Sequence, residues 1–225
     1  EQKIIHNGID LKQFSPNFKK EARAKLNINE NARVLLFASN GIKNNIWKDF
    51  KTLQQAIQHI ATQTSDEITL IAIGEKLTDC TYKNCTIHFK EFIPENQMMH
   101  YYQAADIYVH PANADTFPTT ILEALASGIP VIASAICGIT EQVKGLQNSV
   151  LQNNHYNTFP SEVATGILVP PQDFLSLATA ILHLHNNQSL IDKLSKNARN
   201  DAQERFNLQD QVKRYVELYN SLLKK

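Results

Sequence analysis

The sequence has no surplus of charge of either sign. Lys plus Arg and Asp plus Glu each number 22 in 225 residues, so the formal net charge is +0. A nucleic-acid or anionic-membrane partner held by bulk charge is thereby disfavoured, although a local basic patch is still allowed. Cysteine is scarce. Cys80, Cys85 and Cys137 are the only three, too few for a disulfide scaffold and in keeping with a reducing compartment. No apolar run approaches the roughly 20 residues that span a bilayer. The chain opens Glu1-Gln2-Lys3, without Met and without the apolar core of a signal peptide, and reads as a piece of a longer protein. Signatures of several chemistries are also missing. The eight histidines form no HExxH and no clustered ligand spacing, and Cys80 and Cys85 have no partner pair with which to hold zinc. No Walker loop, GxGxxG or Ser-His-Asp context occurs. Neither a metal site nor a resident cofactor is expected.

What is present suits a globular domain. Hydrophobic residues make up 43% and charged residues 20%, enough to bury a core in one or two domains. Six short apolar runs stand out: Val34–Ser39, Ile68–Ile73, Ile87–Phe89, Ile107–His110, Val131–Ser134 and Ile167–Val169. Several are continuous rather than alternating, as strands covered on both faces require. Between them lie helical patterns at Asp49–Gln63, Glu95–Ala105 and Thr119–Ser127, the last entered by Pro118 and stopped by Gly128. The alternation predicts an α/β fold, a Rossmann-like doubly wound parallel sheet. After Pro170-Pro171 the chain turns helical, over about 172–186, 190–205 and 208–223. Ser189 with Asp192, and Asn207 with Asp210, read as caps with their third helical residues. Gln147–Ser161 reads as a long loop or insertion. Residues 1–20 read as a lead-in, with Asn7-Gly8 a turn signal.

In an open α/β sheet, ligands sit beyond the carboxyl ends of the strands. The richest loop there runs from His110 to Glu123. Asp115 lies in the loop and Glu123 about one turn inside the helix that follows, sharing a face with Thr119. The helix start offers free N–H groups and a positive dipole end suited to phosphate. Glu123 could then accept from the vicinal hydroxyls of a ribose, or be a plain solvated helix residue, with Asp115 capping a turn. A second loop, Asn40–Lys48, carries Lys43 and Lys48, able to neutralise a diphosphate or simply to be polar. Gly74, ending a strand, permits close approach of a ligand.

Taken in order, these segments resemble a known family. His6-Asn7-Gly8-Ile9-Asp10 with Phe14-Ser15-Pro16, Trp47-Lys48-Asp49-Phe50, Ala104–Pro111, Asp115 to Glu123, Glu123–Ala133, Gly138-Ile139-Thr140-Glu141 and Gly166–Asp173 are similar to seven successive motifs. These motifs belong to the C-terminal, nucleotide-sugar-binding domain of family 4 (group 1) glycosyltransferases. Those enzymes have the GT-B fold of two facing Rossmann-like domains. The resemblance covers nearly the whole chain. It implies residues 1–20 as interdomain linker and 21–225 as the donor-binding domain, with an N-terminal acceptor domain outside this chain.

The resemblance also implies roles. Glu123 would bind the donor's ribose hydroxyls, and Asp115 would lie near the transferred sugar. Backbone amides of Phe117, Thr119 and Thr120 would contact sugar and distal phosphate. Lys48 matches the diphosphate-binding Lys. No Arg stands at the family's Arg position, where Lys43 would substitute, and the base would pack near Phe92 in Glu91–Pro94. Asp at 115 in place of Glu and Pro at 118 in place of Gly are read as subfamily traits. The reaction implied is metal-independent sugar transfer with retention, from a nucleotide sugar, UDP-sugar before GDP-mannose. The acceptor implied is a glycan or lipid-linked acceptor in cell-envelope polysaccharide or lipopolysaccharide synthesis. No nucleic-acid partner is expected. A cytoplasmic location follows, with peripheral contact to the inner membrane face through the absent half. This chain alone is expected to bind donor without transferring sugar. The alternatives are a non-catalytic sugar-nucleotide-binding module and a GT-B sugar-nucleotide epimerase.

Overall fold

The computed structural model describes residues 3–16, 18–147 and 158–223. Among the described residues nine strands form one sheet: β1 Arg33–Ala38, β2 Ile68–Ile73, β3 Cys80–Tyr82, β4 Cys85–Lys90, β5 Ile107–His110, β6 Val131–Ser134, β7 Gly145–Leu146, β8 Thr158–Phe159 and β9 Gly166–Val169. Their order is β3-β4-β2-β1-β5-β6-β9-β7-β8. Every pairing is parallel except β3 with β4. The helices are α1 Lys19–Lys25, α2 Phe50–Gln63, α3 Glu95–Ala104, α4 Thr119–Ala126, α5 Ile139–Gln142, α6 Phe174–His185, α7 Gln188–Arg205 and α8 Leu208–Leu223. The doubly wound α/β architecture expected from the sequence is therefore present.

The cause is visible in burial. β1, β2, β5, β6 and β9 are buried almost throughout. Helices cover both faces of these strands, so both sets of alternate side chains are apolar. One core packs α2 and α6 against the sheet through Leu53, Ile57, Ile60, Leu177, Ile181 and their neighbours. The other packs α3, α4 and α7 on the opposite face through Tyr102, Ile121, Leu125, Ala198 and Phe206.

Several elements escape a sequence reading. β3 is a half-exposed edge strand with no apolar run, recruited by its hairpin to β4. Within Gln147–Ser161, read as loop, Thr158–Phe159 instead pairs with Gly145–Leu146; residues 148–157 lie outside the described residues. Asn7-Gly8 is not a turn. The Gly8 N–H donates to Gln211 Oε1 at 3.0 Å, and Ile9 exchanges backbone bonds with Phe206 and Leu208, so the segment runs extended along the start of α8. Arg199 fastens it further by donating to the carbonyls of Leu11 and Phe14. The N-cap of α7 is Asn187, whose side chain accepts from Leu190 N at 3.0 Å. Ser189 only donates its hydroxyl to that same Asn187 oxygen.

Chain direction reverses its winding beside β1. From β1 the chain goes to β2 on one side, while β5 pairs with β1 on the other, Leu35 opposite Ile107 and Leu36 opposite Tyr108. The loops after β1 and β5 thus diverge at the carboxyl edge and leave a crevice between them.

Candidate active site at the carboxyl edge

Two loops clasp each other over this crevice. The Trp47 carbonyl accepts from Asn113 N at 2.8 Å, and the Ile46 carbonyl from Asn113 Nδ2 at 2.8 Å. The clasp brings Lys48, at the end of the first loop, onto Asp115 in the second. Lys48 Nζ donates to Asp115 Oδ2. His110, the last residue of β5, reaches the same oxygen through Nε2 at 3.1 Å. His110 is wholly buried, and its Nδ1 lies 3.3 Å from the Tyr108 hydroxyl.

The electrostatics of this trio follow from burial and charge. Burial pulls the Asp115 carboxyl upward, but hydrogen bonds from His110 and Lys48 and the lysine's charge outweigh it, so the group sits below the ordinary aspartate range. Burial pushes His110 below the ordinary imidazole value, with Asp115 opposing and Lys48 assisting. The imidazole is therefore neutral at pH 7. The carboxylate assigns its tautomer: Nε2–H donates to Asp115, which leaves Nδ1 unprotonated beside the Tyr108 hydroxyl, whose O–H also lies 3.5 Å from the Ala38 carbonyl.

Four residues beyond Asp115, α4 begins. Pro118 is its N-cap and supplies no side-chain cap. The N–H groups of Thr119 and Thr120 have no carbonyl a turn earlier within the helix and form its positive end. The approach is fixed from below by α5 and the turn before it. Gln142, fully buried, donates Nε2 to the Pro118 carbonyl at 3.0 Å. A Cβ on Gly138 would lie 1.8 Å from the Thr116 carbonyl, so only glycine lets these loops touch. The Phe117 ring is committed to packing, stacked 5.1 Å from His6 and edge-on to Phe206. Its backbone N–H is what remains for a ligand.

Glu123 stands one turn into α4, half-buried. Burial holds its carboxyl above the ordinary glutamate range, with the Tyr102 hydroxyl opposing and Glu95 adding to the rise. Such a group gains more than an exposed one from incoming hydroxyl donors, because a desolvated carboxylate lacks water to replace them.

The remaining sequence candidates occupy the same edge but differ in freedom. The Lys43 side chain is exposed, while its N–H and that of Ile42 both donate to Glu75, at 2.7 and 2.8 Å. Those amides are already taken, and only the lysine head is left for an anion. Gly74 has φ 134, and a Cβ there would lie 1.9 Å from the Ser39 carbonyl. Contact between the ends of β1 and β2 accounts for this glycine. Phe92, after β4, is 74% exposed, and Trp47 is 59% exposed, two aromatic faces on the rim. Sequence reasoning missed His110 and Gln142 as site residues. A histidine closing an otherwise apolar strand at the carboxyl edge was the available signal for the first; nothing in the sequence marks the second.

A cavity of about 690 Å³ lies elsewhere, lined by Arg23, Arg33, Asp66, Asp106 and His185 near the amino edge. Its inner cations converge on buried Asp106, which also accepts from Val34 N at 2.7 Å. That cluster ties α1 to the sheet and lies at the edge opposite Asp115. Among the described residues, no three His, Cys, Asp or Glu side chains converge as a metal ion would need.

Comparison with known proteins shows the family and the fold. A sequence model of the family described as "Glycosyl transferases group 1" matches residues 18–201. The Escherichia coli UDP-Gal:alpha-D-GlcNAc-diphosphoundecaprenol alpha-1,3-galactosyltransferase is 25% identical over 228 residues, covering 96% of this chain and 53% of its own length. Among solved structures, sucrose-phosphate synthase from Thermosynechococcus elongatus superposes with a TM-score of 0.78 at 27% identity, over 99% of this chain and 53% of that one. The C-terminal domain of LpcC, a group 1 family glycosyl transferase from Francisella tularensis, has the same fold, with a TM-score of 0.68 at 21% identity. The match covers 89% of this chain and all of that domain. The chain spans about half the length of the curated relatives it matches.

Proposed function

The chain belongs to the group 1 glycosyl transferases, with the fold of the C-terminal half of their two-domain GT-B architecture, and from that premise we propose that it binds a nucleotide-sugar donor across its carboxyl edge. The observation that carries this reading is the convergence of Lys48, Asp115 and the uncapped start of α4 at the point where the sheet's winding reverses. A diphosphate there meets a positive helix end and a lysine, with Lys43 exposed nearby. Glu123, a turn inside, accepts from the ribose hydroxyls. Phe92 offers its face to the base. Asp115 and the amides of Phe117, Thr119 and Thr120 address the sugar. UDP-sugar is the donor favoured, as in the name of the E. coli relative.

The reaction we propose is transfer with retention. The bond from the anomeric carbon to the diphosphate breaks, and its electron pair goes to the leaving phosphate. The acceptor oxygen bonds to the same carbon on the same face, and its proton passes to a donor phosphate oxygen. The protein's part is to stabilise the developing charge with Lys48, Lys43 and the α4 N–H groups already in place. The acceptor, a glycan or lipid-linked glycan of the cell envelope, would be held by residues outside this chain, on the cytoplasmic side of the membrane.

Calorimetric titration with UDP, GDP and their sugar conjugates tests the donor site. Glu123→Ala and Lys48→Ala should each weaken binding, and unchanged affinities would sink the assignment. Binding that persists in a full-length protein showing no transfer would favour the non-catalytic module, and interconversion of the free nucleotide sugar would favour the epimerase.

A further inference from the structure

Both hydrogen bonds to Asp115 fall on one oxygen. Lys48 Nζ and His110 Nε2 meet Oδ2, and among the described residues no donor reaches Oδ1. The two donors are unlike. His110 has no exposed surface and is held from its other nitrogen by Tyr108, so its orientation is fixed. Lys48 hangs from a loop on a flexible stem, its side chain 22% exposed. A donor diphosphate needs that lysine, yet Asp115 already holds it. A carboxylate only 13% exposed cannot give up its cation without cost unless another donor stays.

We propose that the Lys48–Asp115 pair is a latch opened by the donor's diphosphate, and that His110 is the positioning residue that holds Asp115 once Lys48 has left. With Oδ2 kept by His110 Nε2–H, Oδ1 stays directed to accept from a sugar hydroxyl. The latch makes donor entry and active-site assembly one event: the anion that recruits Lys48 also frees Asp115 for the sugar. This rests on the donor-site reading above, and its test separates the two.

The experiment titrates this chain calorimetrically with UDP against UMP and GDP against GMP, in wild type, His110→Phe and His110→Gln. A monophosphate makes less call on the lysine, so it serves as the internal control. Losing a hydrogen bond to a charged group corresponds to roughly tenfold in affinity or more. His110→Phe should lose about that factor for the diphosphate that wild type prefers and keep monophosphate affinity. His110→Gln, which can present an amide N–H near the Nε2 position, should restore the diphosphate. Equal loss for mono- and diphosphate, an unaffected His110→Phe, or failure of glutamine to rescue would each overturn the latch. Wild type that binds neither pair would overturn the donor site, and the latch with it. The imidazole nitrogen signals of His110 give an independent check. They should report a neutral Nε2–H ring before and after UDP, and an Nδ1–H ring would contradict the arrangement.

Discussion

At the scale of the residue, motif membership does not separate structure from chemistry; burial and partners do. Asp106 and Asp115 lie nine positions apart in one stretch of apolar and acidic residues. Asp106 points to the amino edge, buried under Lys19 and Arg23 and bonded to the β1 backbone, where it joins α1 to the sheet. Asp115 points into the crevice. The sequence placed Asp115, Glu123 and Lys48 on one edge by spacing and strand direction, and the structure puts Lys48 and Asp115 in contact. For His110 beneath them the sequence offered only a histidine closing an apolar strand, because a lone histidine has no spacing partner. One consequence is a pH dependence. The folded-state value of His110 is lowered by burial, so the unfolded chain takes up a proton near pH 6.5 that the folded chain does not. Stability from this group is complete above that pH and declines as pH falls through it. Asp115, lowered as well, adds a separate loss at lower pH. The melting temperature of wild type should therefore drop more steeply between pH 7 and 5 than that of His110→Gln. Parallel profiles would mean that the imidazole is not held neutral.

At the scale of the element, continuous apolar strands were legible to within a residue, as at Ile68–Ile73, Ile107–His110 and Val131–Ser134. Strands without an apolar run were not, because β3, β7 and β8 exist only through pairing with a neighbour. The helical pattern over Asp49–Gln63 was legible to within a residue, with Asp49 standing as N-cap, and the start of α7 was missed where Asn187 and Ser189 compete. The α4 start depends on an element that no spacing rule reveals, the turn at Gly138 packed against Thr116. Gly138 has an ordinary φ of −70, so alanine there fails only through contact, with its Cβ 1.8 Å from a carbonyl oxygen. Gly41 has φ +80 and open space around its Cβ position, so alanine there costs only backbone strain, about 1 kcal/mol. Gly138→Ala should lower the melting temperature more than Gly41→Ala and also weaken nucleotide binding by displacing Thr116 and Phe117. Equal effects on stability and none on binding would show that α4 is aimed by something else.

At the scale of the whole molecule, α8 carries Val212, Tyr215, Val216, Tyr219 and Leu222 exposed along one face, a stripe at helical spacing. The domain is otherwise well covered, with two cores closing both faces of the sheet. No helix among the described residues is long and apolar enough to cross a membrane. On the proposed reading the chain supplies the donor edge, and the relatives it matches are about twice as long. Residues 1–225 by themselves should therefore bind donor yet give no transfer to a glycan or lipid-linked acceptor. Measurable transfer by this chain alone would refute the division of labour. The central claim is the donor site between the β1 and β5 loops. Its most direct test is calorimetric titration of the wild-type chain with UDP-glucose and GDP-mannose beside Lys48→Ala and Glu123→Ala. Binding of one donor by wild type, weakened in both variants by about tenfold or more, is the predicted result. Absence of binding to either donor, or equal affinity in all three proteins, would contradict it.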